Sequence, residues 1–188
     1  MNLYFRLTWI LLLAVLRRRV SVSEAMMKPP RLRLVSLPND IDLNFHVNNG
    51  RLATLLVDFG MLYLFGRGRV LGQLISGGTA PVVGGTVIRY RHPVGLFARF
   101  EVETRLLCWD QKWFYCKHLL ILGRDKVAVS AITRTCLVRK GGSVIPADFL
   151  ARLDHDAPSP DPAAVAQLFD SANRAIDSHV PLLLESVA

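Results

Sequence analysis

Arg51-Leu52-Ala53-Thr54-Leu55-Leu56-Val57-Asp58-Phe59-Gly60-Met61-Leu62-Tyr63-Leu64-Phe65 places its polar side chains Arg51, Thr54 and Asp58 at i, i+3 and i+7 and is apolar almost everywhere else. A helix with a polar stripe one residue wide is enclosed by protein around most of its circumference, unlike a surface helix, which is polar over half of it. The pattern predicts a buried helix from Gly50 to about Gly66, capped by Asn48 or Asn49, whose side chains can accept from the free N–H groups of its first turn.

The flanks say what encloses it. Upstream, Pro29-Pro30 and Pro38 bound an extended, β-branched run from Arg31 to Leu37, read as the first strand. Between that strand and the helix, Leu37 to Gly50 concentrates Asp40, Asp42, Asn44, His46, Asn48 and Asn49, groups that resist burial without partners. Downstream, beyond Gly77-Gly78, the hydrophobic period changes to two. Strands are predicted over Val82 to Arg91, with Gly84-Gly85 marking a bulge, and over Arg99 to Leu107, Trp113 to Leu122 and Val127 to Arg139, joined by short turns. One strand, one buried helix and an antiparallel meander fit together if the sheet curls round the helix. The expected class is α+β, a hotdog fold of about five antiparallel strands wrapped around one long buried helix. Such a sheet keeps an open edge strand, so pairing of two copies edge to edge, as a homodimer or tetramer, is expected.

The 188 residues divide on composition into an apolar and basic N-terminal helix (1–28), the hotdog domain (29–146) and a C-terminal helical tail (147–188), whose helix is expected over Ala163 to Ser178. The net charge of +8 is concentrated near the start, in Arg6, Arg17, Arg18, Arg19, Lys28, Arg31 and Arg33, with no aromatic-interleaved basic stripe, which argues against nucleic acid. Leu7 to Leu16 is shorter than the roughly 20 apolar residues that span a bilayer, and the arginines after it oppose a signal peptide. Two readings stand for residues 1–20: a peripheral membrane anchor, or a helix packed on the domain or on a second subunit. Cys108, Cys116 and Cys136 lack metal-binding spacing and are odd in number, so buried thiols in a reducing compartment are expected. The expected location is cytoplasmic, with peripheral contact at the inner membrane face.

Asp40-Ile41-Asp42-Leu43-Asn44-Phe45-His46-Val47-Asn48-Asn49 resembles the D-x-D-x-N-x-H-V-N-N signature of hotdog acyl thioesterases of the 4-hydroxybenzoyl-CoA and plant acyl-ACP kinds. The hairpin Glu103 to Asp110 with Trp113-Phe114-Tyr115 is similar to one in relatives of thioesterase superfamily member 6. The resemblance implies a hydrolase of acyl-CoA or acyl-ACP in fatty acid metabolism, without metal or redox cofactor. Its catalytic residues would be Asp42, Asn44 and His46, and its substrate-binding residues Asn48, Asn49 and Phe59. A carboxylate at the entry to a buried helix suits this chemistry, since it attacks the carbonyl or activates water while helix N–H groups polarise the carbonyl oxygen. Asp40, Asn48 and Asn49 also suit turn and cap roles. One departure stands out: the plant enzymes carry a further acidic residue after the helix, where this chain has Tyr90-Arg91-His92-Pro93-Val94-Gly95. Arg67, Arg69, Arg89 and Arg91 are equal candidates for substrate phosphates. Two other readings are a non-catalytic, membrane-associated acyl-thioester or lipid-binding protein and an enoyl-CoA hydratase. Against the hydratase, Asp42 and His46 are four apart where that pattern has five.

Overall fold

The computed structural model describes residues 3–17 and 19–185, with side chains described as far as Ile176. Met1, Asn2 and Arg18 of the predicted N-terminal segment, and the last three residues of the predicted tail, lie outside the described residues.

Five strands form one antiparallel sheet: β1 (Arg31–Val35), β2 (Ala80–Tyr90), β3 (Arg99–Trp109), β4 (Phe114–Leu122) and β5 (Lys126–Arg139), in the order β1-β3-β4-β5-β2, with a short β6 (Gly142–Val144) beside β5. Alternation in β3 sends Phe100, Val102 and Thr104 inward, while Glu101 and Glu103 pair with Arg31 and Arg33 of β1. The predicted bulge is present, since the β2–β5 register slips between Val83 and Gly85. Gly84 is required there because a Cβ would overlap the Trp113 ring.

The enclosed helix is a continuous run of three pieces, α3 (Asn49–Ala53), a π turn (Thr54–Asp58) and α4 (Phe59–Arg67). Leu52, Leu55, Leu56, Phe59 and Tyr63 meet Leu32, Phe100, Val102, Leu120 and Val129 of the sheet in the main core. The helix lies so close to β3 that a Cβ on Gly60 would overlap the Thr104 hydroxyl. Below it, His118 is fully buried, its Nδ1 3.0 Å from Thr104 Oγ1 and its Nε2 3.0 Å from Thr133 Oγ1. Burial pushes its pKa down to about 4, so the ring is neutral, one nitrogen donating and the other accepting.

The sheet does not enclose the helix unaided. α1 (Leu3–Leu16) lies along its far side, burying Arg6, Ile10 and Ala14. The approach is close, because a Cβ added to Gly66 would stand 2.6 Å from Ala14 Cβ. The opposite face of α1 is open, with Tyr4, Phe5, Trp9, Leu12, Val15 and Leu16 exposed between 47% and 74%. Among the described residues no helix is long and apolar enough to cross a membrane.

Four further helices are described. α2 (Val22–Met27) falls within the expected N-terminal helix (1–28), which is instead interrupted at residues 19–21, and α6 (Pro146–Ala151) opens the expected helical tail. α5 (Val70–Ser76), between the central helix and β2, stands where the sequence predicts no helix, being too short to show a helical period. α7 (Ala163–Glu185) extends beyond the predicted Ser178, and its Phe169 packs on Tyr115 and over Gly85 on the outer face of the sheet. The three cysteines are free and buried, as expected of small apolar strand residues.

Candidate active site

The polar stretch folds as a small hairpin at the entrance to the central helix. Leu37 N–H donates to Asp40 Oδ2 at 2.9 Å, closing a single 3₁₀ turn over Pro38–Asp40. Ile41 then pairs with Val47 across an isolated antiparallel bridge. Asp42 N–H donates to the His46 carbonyl at 2.9 Å, and Phe45 N–H returns to the Asp42 carbonyl at 3.1 Å. Phe45 takes a left-handed backbone, φ 59°, at the tip of this reversal. The Asp42 side chain holds the turn itself, its Oδ1 accepting from Asn44 N–H at 2.9 Å.

The hairpin is tied on two sides. Asn48 N–H donates to the Asp40 carbonyl and Val47 N–H to the Val94 carbonyl, each at 2.8 Å, while His46 bridges to Gly95. The segment following β2 is therefore beside the site, as the sequence comparison required. Its His92 is exposed, and no carboxylate stands among residues 91–98.

Asp42 and His46 are brought together, Oδ1 to Nδ1 at 3.8 Å, with both side chains partly exposed. Asn44 is on the exposed tip of the turn, and its backbone, not its carboxamide, bonds Asp42. Asn48 is the N-cap, its Oδ1 accepting from Gly50 N–H at 2.9 Å and Arg51 N–H at 3.3 Å. Two of the N–H groups expected to polarise a bound carbonyl are therefore engaged by the cap. Asn49 is exposed and its carbonyl accepts from the Tyr90 hydroxyl at 3.1 Å. Phe59, expected to bind substrate, is 1% exposed in the core with the Arg6 guanidinium 6.0 Å from its ring centroid.

Asp42 opens on a cavity of about 350 Å³ that it shares with Asn39, Asp40, Ile41, Asn48, Gly50, Arg51 and Thr54. Arg51 and Thr54, which the sequence marked only as a polar stripe, line this cavity; the stripe itself was the available signal. A separate apolar cavity of about 70 Å³ lies further along the central helix, among Met61, Leu64, Phe114, Leu137 and Phe149.

Asp40 is the buried carboxylate of the motif, 1% exposed. Its Oδ2 accepts from Arg6 Nη1 at 2.6 Å, and Arg51 Nε is 3.4 Å from Oδ1. In the sequence Arg6 stands out only as one of the N-terminal basic residues, although one charge inside the apolar run Leu3 to Leu16 signals a buried partner. No group of His, Cys, Asp and Glu suited to holding a metal occurs among the described residues.

A curled antiparallel sheet around one helix, with an aspartate on the turn that opens the helix, defines a hotdog-fold protein of the thioesterase type. The sequence model of the Thioesterase-like superfamily matches residues 36–167, more than half of the chain, and the chain belongs to that family. It is 36% identical to Protein THEM6 of Xenopus laevis over 121 residues, 64% of this chain and 58% of that protein. It is 25% identical to Thioesterase lcsJ of Purpureocillium lilacinum over 159 residues, 71% of this chain and 51% of that protein. The chain thus spans little more than half the length of these curated relatives. Among solved structures, YbaW probable thioesterase from Escherichia coli superposes with a TM-score of 0.58 at 16% identity, covering 67% of this chain and 96% of that one, which shows the shared fold.

Proposed function

We propose that this chain hydrolyses acyl thioesters of coenzyme A or acyl carrier protein to free acid and thiol, with Asp42 as nucleophile or general base. The supporting observation is the placement of the Asp42 carboxylate on the 350 Å³ cavity at the entrance to the central helix. As nucleophile, Asp42 attacks the thioester carbon, the C–S bond breaks, the thiolate leaves and takes a proton, and water hydrolyses the mixed anhydride. As base, it takes a proton from water, whose oxygen attacks the same carbon. His46 holds or relays that proton. With Gly50 and Arg51 N–H engaged by Asn48, the carbonyl oxygen is left to the Asn49 N–H and the field of the helix start.

The experiment is thiol release from a chain-length panel of acyl-CoA and acyl-ACP by wild type and Asp42→Ala. Release by wild type and its loss in the variant support the reading. No release from any substrate removes the activity, and unchanged release by the variant removes Asp42. Enoyl-CoA absorbance stays flat, because Asp42 and His46 close a four-residue turn in place of the hydratase spacing.

The working unit in this proposal is a homodimer paired through β2, an open edge on which Val82 and Val83 are 44% and 46% exposed. Leu43 and Phe45, 97% and 86% exposed beside Asp42, would then face the partner. A second reading, favoured by the open aromatic face of α1, makes the protein a peripheral lipid-surface protein on the cytoplasmic side, with or without turnover.

A further inference from the structure

We propose that α1 is part of the catalytic apparatus, and that Arg6 is the positioning residue that sets the geometry of the Asp42 turn. This rests on the reading of Asp42 as the reacting group, and it concerns a residue far outside the motif.

Arg6 reaches two places at once. Its Nη1 donates to Asp40 Oδ2 at 2.6 Å and its Nη2 to the Val35 carbonyl, at the end of β1, at 2.9 Å. Asp40 in turn joins both ends of the hairpin, because its Oδ2 accepts from Leu37 N–H at the entry and its carbonyl from Asn48 N–H at the exit. Asp42 stands two residues further on, inside the loop closed by the Ile41–Val47 bridge. Among the described residues the one other cation near Asp40 is Arg51, which approaches Oδ1 at 3.4 Å without hydrogen-bond geometry, and within that set Oδ1 is a buried oxygen with no hydrogen-bond partner. Arg6 is therefore the side chain that makes charge-assisted hydrogen-bond contact with this carboxylate.

A pair so enclosed, 5% and 1% exposed, is a poor device for stability alone, because desolvation of both charges offsets their attraction. It is a good device for geometry, since guanidinium donors have fixed directions and an uncompensated Asp40 is costly in any other arrangement. The seating of α1 fixes where Arg6 arrives, through Ile10 in the core and Ala14 against Gly66. A chain lacking α1 would keep Asp42 but lose the strut that aims it, so the apolar N-terminal segment serves the site as well as any surface it meets.

The test uses the full chain with Arg6→Met, Arg6→Lys and the double variant Arg6→Met/Asp40→Asn. The double variant leaves no unpaired buried charge and keeps an acceptor for Leu37 N–H, so it retains the fold if Arg6→Met does not. Amide hydrogen exchange is followed at Leu37, Asp42, Asn44 and Asn48 and compared with β4 and β5. In parallel, kcat and KM are measured on the thioester that wild type cleaves best. The expected result is exchange about tenfold faster or more in the turn with the sheet unchanged, the signature of local opening. The kinetic result is a kcat lower by about 10- to 100-fold with KM within about twofold, as for a misplaced reacting group. Arg6→Lys recovers part of both, keeping the charge but losing the fork. Unchanged exchange in the turn, or an equal rise in turn and sheet, overturns the proposal, as does wild-type kcat in a folded variant. If wild type cleaves no thioester, the reading of Asp42 fails separately, and exchange still decides whether Arg6 holds the turn.

Discussion

Nδ1 of His46 stands 3.8 Å from Oδ1 of Asp42, across a turn that the same carboxylate closes by accepting from Asn44 N–H. The distance is beyond a hydrogen bond yet within the reach of an ion pair, and both groups are open to the solvent side of the site. One short closing movement, of the kind substrate binding supplies, joins them.

His46→Gln is accordingly expected to lower kcat by roughly 10²-fold, the lower end of what a positioned proton-transfer group contributes. The melting temperature should stay close to wild type, because the Nδ1 contact to the Val47 carbonyl is already long at 3.4 Å. Steady-state kinetics beside a thermal melt check it; a melting temperature that falls along with kcat would make His46 a structural residue of the turn.

Protonation of His118 limits acid stability. Its folded pKa of about 4 is below the 6.5 of an unfolded imidazole, so between these values the unfolded chain binds the extra proton. Stability from this residue is complete above about pH 6.5 and is lost as pH falls toward 4, by roughly 3 kcal/mol at 1.36 kcal/mol per pH unit. Urea midpoints from pH 4 to 7 read it directly, and His118→Gln should flatten the curve over that interval while lowering its plateau.

Gly60→Ala forces a methyl group into the Thr104 hydroxyl, part of the His118 network, and is expected to destabilise by about 1–3 kcal/mol through overpacking. Denaturant unfolding measures the loss. Gly72→Ala, where a Cβ meets nothing within 4 Å, is the control that should be neutral or slightly stabilising.

The open face of α1 predicts lipid binding that is separable from hydrolysis. Replacing exposed Phe5, Trp9 and Leu16 together by Ser should abolish co-flotation with vesicles containing phosphatidylserine. Thiol release from a soluble short-chain acyl-CoA should change less than twofold, since Arg6, Ile10 and Ala14 keep α1 seated from its other side. Flotation that survives the triple change places the contact elsewhere.

Much of this molecule is legible in the primary structure because its signals are periodic and local. The stripe Arg51, Thr54, Asp58 announces a helix with almost no solvent face, and alternation from Arg99 onward announces strands. Gly84-Gly85 marks the bulge, and the D-x-D-x-N-x-H-V-N-N run marks a strand-to-helix junction rich in polar groups. Helix α5 and the separate boundaries of α2 and α6 left no such trace, since six or seven residues hold fewer than two turns of any period.

The sequence by itself determined the order of the five main strands and the central helix, the buried character of that helix and the residue types gathered at its entrance, all properties of neighbours along the chain. The resemblance alone assigned Asp42 to chemistry and Asp40 to the turn; only the tertiary structure gave the two aspartates of the motif physically different surroundings. Asp40 is sealed against Arg6, 34 positions away, while Asp42 opens on the cavity. Their local sequence is nearly equivalent, and what distinguishes them is a helix packed from the far side of the domain. Burial and charge pairing depend on what arrives in space, and hydropathy along the chain carries no record of that.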